Sequence, residues 1–212
     1  MSQYNIILST SEATVVSEYE PQSARSDAYQ SEDALEKAFI KMLTEQGYEY
    51  LCLDCQTALI ENLRVQLEKL NNYKFTDKEW KYFFENQVAN ANEGIVEKTR
   101  KIQEDYIQVL KRDDGSSKNI YLIDKKNIHN NYLQVINQYV EDGGVHGNRY
   151  DVTILVNGLP LIHIELKRRG VALKEAFNQI DRYQRESFWA GCGLYEYVQL
   201  FVISNGTNTK YY

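Results

Sequence analysis

One stretch decides the fold of this chain: DVTILVNGLPLIHIELK, residues 151–167. Asn157-Gly158 divides it into two apolar segments, and this dipeptide is typical of a tight turn between antiparallel strands. Strand side chains point to opposite faces in turn. The second segment therefore carries His163, Glu165 and Lys167 on one face and apolar residues on the other.

The pairing register of this hairpin determines which side chains meet. A two-residue loop without a bulge would place the apolar faces of the two strands on opposite sides of the sheet. A shift of one residue corrects this, because a one-residue slip turns every side chain over. Val152 then faces Ile164, and Asp151 faces Glu165. We predict either a three-residue loop with a bulge at Gly158 or a bulge further along the hairpin.

This register collects Asp151, Glu165 and Lys167 on one patch of sheet. Two carboxylates at cross-strand distance repel each other unless something compensates their charge. Mg²⁺ prefers oxygen ligands, and one or two carboxylates with waters and substrate phosphate are typical of its sites. The alternative is an exposed patch in which Lys167 forms salt bridges with both carboxylates, worth ~0–1 kcal/mol.

Outward from the hairpin, the periodicity predicts helices and further strands. Ser31 is a good N-cap for a first helix that ends at Gly47, with an apolar face of Leu35, Phe39, Met42 and Leu43. Further helices are predicted over about 56–70, 76–86 (from the capping box Thr76–Glu79), 95–103 and 173–188. Further strands are predicted over 48–53, 120–123, 132–140 and 198–204. The fold class is α/β, a mixed central β-sheet flanked by helices, with an N-terminal helical section.

The composition is that of one globular domain over residues 1–212, mostly helical to about residue 105 and a sheet core from about 106. The net charge is −6, and all of it lies in residues 1–75, so bulk charge does not predict DNA binding. No stretch reaches the ~18–20 apolar residues of a membrane span. With three cysteines and no signal peptide read at the N-terminus, a reducing cytoplasm is expected. Cys52 and Cys55 are interpreted as reduced thiols.

The hairpin and its flanks resemble a known family. Asp151 followed by Glu165-Leu-Lys167 resembles the PD-(D/E)xK nuclease signature, with Tyr150 where the signature has proline. The N-terminal nuclease region of the R (restriction) subunit of type I restriction enzymes is similar to this chain over residues 148–161, 164–172 and 175–183, and also over 120–127 and 29–32. The resemblance implies a restriction-endonuclease-like (PD-(D/E)xK) core.

The resemblance also implies roles for particular residues. Asp151, Glu165 and the backbone carbonyl of Leu166 would hold Mg²⁺, with Mn²⁺ as a substitute, and Lys167 would be the catalytic lysine. Gln179 and Tyr183 match a Gln-x-x-x-Tyr motif that would contact DNA, although Tyr183 is equally typical of packing. Arg182, with the basic residues Lys167-Arg168-Arg169, is a candidate for binding DNA phosphates. Many such nucleases also use a glutamate on the first core helix, and Glu32 and Glu36 are the candidates for that residue. His163 is expected at an edge position that points to water, with a contact to DNA as the alternative.

The implied function is Mg²⁺-dependent endonuclease action on double-stranded DNA, as part of a type I site-specific deoxyribonuclease. Methyltransferase (M) and specificity (S) subunits would be its partners, and no association with a membrane is expected. The family's ATP-driven motor lies C-terminal to the nuclease region, so ATP would bind only the full-length subunit. The alternative is a docking module of the same complex, without cleavage activity in isolation. The fragment alone is expected to be monomeric.

Overall fold

The central feature of the fold is a six-stranded mixed sheet. The computed structural model describes residues 4–9, 14–19, 31–141, 148–171, 178–180 and 192–212. The helices are α1 (Glu32–Glu45), α2 (Gln56–Asn71), α3 (Asp77–Phe83) and α4 (Ile95–Gln103). The strands are β1 (Tyr4–Ser9), β2 (Thr14–Tyr19), β3 (Glu49–Tyr50), β4 (Ile107–Lys111), β5 (Ser117–Tyr121), β6 (Leu133–Glu141), β7 (Asn148–Val156), β8 (Leu159–Leu166), β9 (Leu200–Ser204) and β10 (Thr209–Tyr211).

The strand order in the central sheet is β10-β9-β8-β7-β6-β3. β7 pairs antiparallel with both β6 and β8, whereas β3 pairs parallel with β6 and β9 pairs parallel with β8. β1–β2 and β4–β5 form two separate hairpins. The predicted mixed sheet flanked by helices is confirmed, and β8 lies inside the sheet with a neighbour on each side.

The β7–β8 hairpin shows how the register conflict is resolved. Val156 pairs with Leu159 across Asn157-Gly158, so the loop has two residues and the three-residue alternative is wrong. The bulge lies further along: Ile154 pairs with Ile162 but Leu155 with Pro160, which leaves Leu161 as the extra residue. Val152 pairs with Ile164, as predicted. Gly158 has φ +83°, and a Cβ there would lie 2.6 Å from Leu63 Cα on α2, so this turn requires glycine.

The sheet buries an apolar cluster on each face. On the α1 face, Leu43 and the partly buried Leu35 and Phe39 pack against a set of strand residues: Val135, Val152, Ile154, Ile164 and Leu166. On the α2 face, the cluster contains three leucines of α2 and a set of strand residues: Leu59, Leu63, Leu67, Ile136, Tyr139, Tyr150, Leu155 and Leu161. Helices therefore cover both faces of the central strands.

The N-terminal helices agree closely with the predictions. Ser31 caps α1 by accepting a hydrogen bond from Ala34 N at 3.2 Å, and Thr76 and Glu79 form the predicted capping box. Met42 is 49% exposed, so its placement on the apolar face of α1 is wrong; Ile40 packs there instead. α3 ends early, at Phe83, and a single π-helical turn continues it to Val88.

Several strands differ from the prediction. β3 covers only two residues of the predicted 48–53, and β1, β2, β4 and β10 are not predicted at all. Strands β1 and β2 lie within the section expected to be mostly helical. Of the predicted helix 173–188, only helical residues 178–180 lie within the described part of the chain. Within the described residues no helix is both long enough and apolar enough to cross a membrane.

Candidate active site

Adjacent ends of β7 and β8 bring together the three side chains that the sequence selects. Asp151 Oδ2 accepts a hydrogen bond from Leu166 N at 2.9 Å, which fixes the aspartate against β8. Lys167 Nζ lies 4.0 Å from Glu165 Oε2, and Lys167 N donates to Ser204 O of β9. Glu165 is 0% exposed, so the alternative of an exposed salt-bridged patch is wrong. Whether these residues hold a metal and cleave DNA stays a prediction.

The two carboxyl groups form an electrostatically strained pair. Burial, followed by the negative charge of Glu165, raises the pKa of Asp151 well above its usual value. Burial also raises the pKa of Glu165, and the positive charge of Lys167 offsets this only in part. Two ionised carboxylates in this position repel each other, so a proton on one of them lowers the energy of the pair. The pair therefore favours a proton, or another cation, at this position.

Glu165 is held by a residue whose environment the sequence reading misjudged. His163 is 0% exposed, so the expected edge position in water is wrong. Its Nε2 lies 3.0 Å from Glu165 Oε1. Burial lowers the pKa of His163 to about 4, so the ring is neutral and this contact is a hydrogen bond rather than an ion pair. Strand β8 is apolar on both sides of His163, and such a run is typical of a strand covered on both faces. That signal was available in the sequence.

Strand alternation is broken next to the site. Asn137 pairs with Val152 and Tyr139 with Tyr150, which places Gln138 opposite Asp151. Tyr150 packs on the α2 face although Val152, two residues later, packs on the α1 face. Gln138 has φ +53°, a left-handed conformation that costs about 1–2 kcal/mol for a residue other than glycine. The irregularity in β6 and β7 therefore lies directly beside Asp151, and it is Tyr150 that leaves ordinary alternation.

The two first-helix glutamates have different environments. Glu32 Oε1 accepts a hydrogen bond from Arg168 N at 3.2 Å, and its charge contributes to the raised pKa of Glu165. Glu36 is buried, and it accepts hydrogen bonds from Asn137 Nδ2 and, at 2.6 Å, from Gln138 Nε2. Glu32 thus borders the site, whereas Glu36 holds the irregular part of β6. Nothing in the sequence pattern indicates the partners of Glu36, since they lie about a hundred residues away.

The residues expected to contact DNA are only partly described. Gln179 is half-buried and lies on the helical turn 178–180, next to the fully buried Ile180. Tyr183 and Arg182 lie outside the described residues. Arg168 is exposed directly after Lys167. Their role in DNA binding stays a prediction.

The donor set can be tested for fit to Mg²⁺. Glu165 Oε2 is buried and accepts no hydrogen bond from any donor in the described part of the chain, although it faces a second carboxyl group and an ammonium. A hard cation that takes carboxylate oxygens would satisfy that atom and relieve the repulsion. Among the described residues, no group of three or more His, Cys, Asp or Glu side chains is arranged to hold a metal. The two carboxylates therefore need the Leu166 carbonyl and water or phosphate oxygens to complete a coordination shell.

Comparisons with known proteins match most of the chain. The family model "Type I restriction enzyme R protein N terminus" (HSDR_N) matches residues 29–212. The chain is 52% identical over 199 residues to the type I restriction enzyme EcoprrI endonuclease subunit of Escherichia coli, covering 93% of this chain and 63% of that protein. It is 41% identical over 189 residues to an endonuclease subunit of Staphylococcus saprophyticus, and 40% identical over 191 residues to one of Staphylococcus aureus. These matches cover 86% and 87% of this chain, but only 19% and 20% of the relatives.

Proposed function

We propose, since the chain belongs to the family of type I restriction enzyme R protein N termini, that it is the Mg²⁺-dependent endonuclease domain of such an enzyme. One observation carries the proposal: the buried Glu165 carboxylate has an unpartnered oxygen next to Asp151 and Lys167. Strained carboxyl pairs of this kind are typical of functional sites, because folding stability alone would select against them. The proposed fold is the restriction-endonuclease-like (PD-(D/E)xK) core.

The side chains have distinct roles in the proposed hydrolysis of a phosphodiester bond. Asp151, fixed by Leu166 N–H, and Glu165, fixed by His163, would bind the metal with the carbonyl of Leu166. Lys167 would orient the attacking water and offset the negative charge that develops on the scissile phosphate. Glu32, bound to Arg168 N–H, would restrain the segment that follows β8. When bound, Mg²⁺ would polarise a phosphate oxygen and lower the pKa of a bound water.

The proposed substrate is double-stranded DNA, and the proposed setting is a complex with M and S subunits. The chain spans about two thirds of the Escherichia coli relative and about a fifth of the staphylococcal ones. Sequence recognition and ATP-driven translocation would therefore reside outside this domain. Because the net charge is −6, we expect the isolated chain to bind DNA weakly and to need the complex for cleavage.

The test separates cutting from translocation in the assembled enzyme. Asp151→Asn, Glu165→Gln and Lys167→Ala should each reduce cleavage of plasmid DNA by at least about 100-fold, as expected for the loss of a charge that acts in the transition state. ATP hydrolysis and translocation should stay at the wild-type level. Arg100→Ala, which removes an exposed charge on α4, is the control and should cut normally.

Two outcomes would contradict the proposal. If the three variants lose translocation together with cleavage, the residues stabilise the fold rather than act in catalysis. If all three cut at the wild-type rate, the chemistry lies elsewhere, and the chain is a docking module of the complex.

A further inference from the structure

A line of buried polar groups runs behind the candidate metal site. His163 Nε2 lies 3.0 Å from Glu165 Oε1, and His163 Nδ1 lies 3.5 Å from Thr153 Oγ1. Thr153 Oγ1 in turn lies 3.2 Å from Tyr195 Oη. His163 and Glu165 are 0% exposed, and Thr153 and Tyr195 are equally inaccessible. The line therefore connects a carboxylate of the proposed site to the interior of the α2 face.

The chemistry of these groups gives the line a direction. A carboxylate only accepts hydrogen bonds, so an ionised Glu165 requires His163 Nε2 to carry the proton. Nδ1 of the neutral ring then has no proton and accepts from the Thr153 hydroxyl. Because that hydroxyl has a single proton, Thr153 Oγ1 accepts from Tyr195 O–H. The hydrogen bonds therefore run in one direction, from the Tyr195 hydroxyl through Thr153 and His163 to Glu165.

Aromatic rings hold the imidazole in place. The ring of Tyr150 meets the His163 ring edge to face, with centroids 5.3 Å apart. The ring of Phe201 on β9 also meets the His163 ring edge to face, with centroids 6.4 Å apart. Tyr150 also contacts Tyr195, with centroids 4.5 Å apart. Because the ring is packed on these sides, His163 cannot turn to release Glu165 without displacing the core. Buried polar groups inside an apolar layer lower stability unless they are fully hydrogen-bonded, so a polar line here calls for a functional explanation.

We propose that His163 is a positioning residue: its Nε2–H holds Glu165 Oε1 so that Oε2 remains directed at the cation site, and Thr153 and Tyr195 set its tautomer. This inference rests on the proposed metal-dependent function. It assigns the two oxygens of Glu165 to different tasks, one to the protein interior and one to the metal. Histidine donors to metal-binding carboxylates act in this way, and their loss typically weakens metal binding about 10–100-fold.

Mn²⁺ titration of the 212-residue chain by calorimetry tests the hydrogen bond. His163→Leu removes the donor and should weaken Mn²⁺ binding about 10-fold or more. His163→Gln places an amide nitrogen near the position of Nε2 and should restore affinity to within about 3-fold of wild type. His129→Leu, which removes an exposed histidine, controls for incidental Mn²⁺ ligation and should bind as wild type does.

The tautomer is a second readout that needs no variant. In the metal-free wild-type chain, the ¹⁵N chemical shifts of His163 should show a protonated Nε2 and an unprotonated Nδ1 at pH 9, where Glu165 is ionised. Thr153→Val, which is nearly isosteric, removes the partner of Nδ1 and should shift the Nδ1 resonance while the fold is retained. A protonated Nδ1 in the wild type would overturn the proposal even if every His163 variant failed to fold.

Failure of this inference can be told apart from failure of the proposed function. If Asp151→Asn and Glu165→Gln bind Mn²⁺ as the wild type does, the metal site itself is wrong. If those variants lose Mn²⁺ while His163→Leu binds it with wild-type affinity, the metal site stands and the positioning role of His163 is wrong.

Discussion

The molecule buries carboxylates in two regions, and it treats them in opposite ways. Around the start of α3, Glu68 accepts hydrogen bonds from Arg64, Lys74 and Phe75 N, and Glu79 accepts from Tyr73, Thr76 N and Asp113 N. At the ends of β7 and β8, Asp151 and Glu165 face each other, and one oxygen of Glu165 has no donor in the described structure. Both regions are largely shielded from water.

The pKa values express the difference. Burial acts to raise the pKa of Glu68 and of Glu79, but the hydrogen bonds outweigh it and hold both values below the usual range. At Asp151 and Glu165 burial prevails, and the pKa of each carboxyl group is raised. A fully satisfied buried carboxylate stabilises the fold, whereas an unsatisfied pair lowers stability unless a bound cation offsets its charge. The contrast shows that burial alone does not distinguish the two regions; the facing carboxyl groups and the missing donor do.

Glu79→Ala should produce the largest change in stability. It removes the acceptor of two backbone N–H groups and of the Tyr73 hydroxyl, at a residue that is 4% exposed. We expect unfolding in urea to require about 3 kcal/mol less, because three partly buried hydrogen bonds lose their shared acceptor. Glu97→Ala is the matched control: Glu97 occupies the same capping position in α4, accepting from Gly94 N, but is exposed. Equal losses at the two positions would contradict the argument.

Glu165→Gln should have the opposite sign, and its size should depend on pH. The pKa of Glu165 is raised from 4.5 to about 7, so the folded state holds a proton more tightly than the unfolded state. The wild-type chain therefore loses stability as pH rises from about 4.5 towards 7. In EDTA at pH 8 the variant should be more stable by about 2 kcal/mol, and at pH 4.5 by much less. Urea unfolding at both pH values measures this, and a pH-independent loss of stability would show that the pair is not strained.

Substitutions at Gln138 test whether the strained region includes the backbone. Glycine accepts φ +53° without cost, whereas alanine keeps the left-handed penalty, and both remove the hydrogen bond to Glu36. Gln138→Gly should therefore be more stable than Gln138→Ala by about 1 kcal/mol, the reverse of the usual order in a strand. Asn119, exposed in β5, provides the control pair, and there alanine should be the better residue. If alanine is the more stable residue at both positions, the backbone at Gln138 is not strained.

Lys74→Ala should have the smallest effect. Its ammonium lies 2.6 Å from Glu68 Oε2, but the lysine side chain is 84% exposed and Glu68 keeps Arg64 and Phe75 N as donors. We expect a change below about 1 kcal/mol that vanishes in high salt. Thermal unfolding in 50 mM and 1 M NaCl would measure it. A loss as large as that of Glu79→Ala would mean that Glu68 is closer to unsatisfied than its contacts indicate.

Local rules were sufficient for part of this protein. The capping residues of α1 and α3 follow from side chains that bond within one turn. The β7–β8 register follows from alternation and the need to bury both apolar faces, and it brings Asp151 opposite Glu165 without knowledge of any other strand.

Long-range packing decided the rest. Parallel pairing with β9 places β8 inside the sheet, and this buries His163 and turns the expected solvent-facing histidine into the partner of Glu165. Glu36 finds Gln138 across about a hundred residues, and Met42 is exposed where Ile40 packs. The sequence by itself determined which residues meet across one hairpin, because alternation is a property of neighbouring bonds. Only the tertiary structure decided which of them lose contact with water, because burial depends on every element that packs against the sheet.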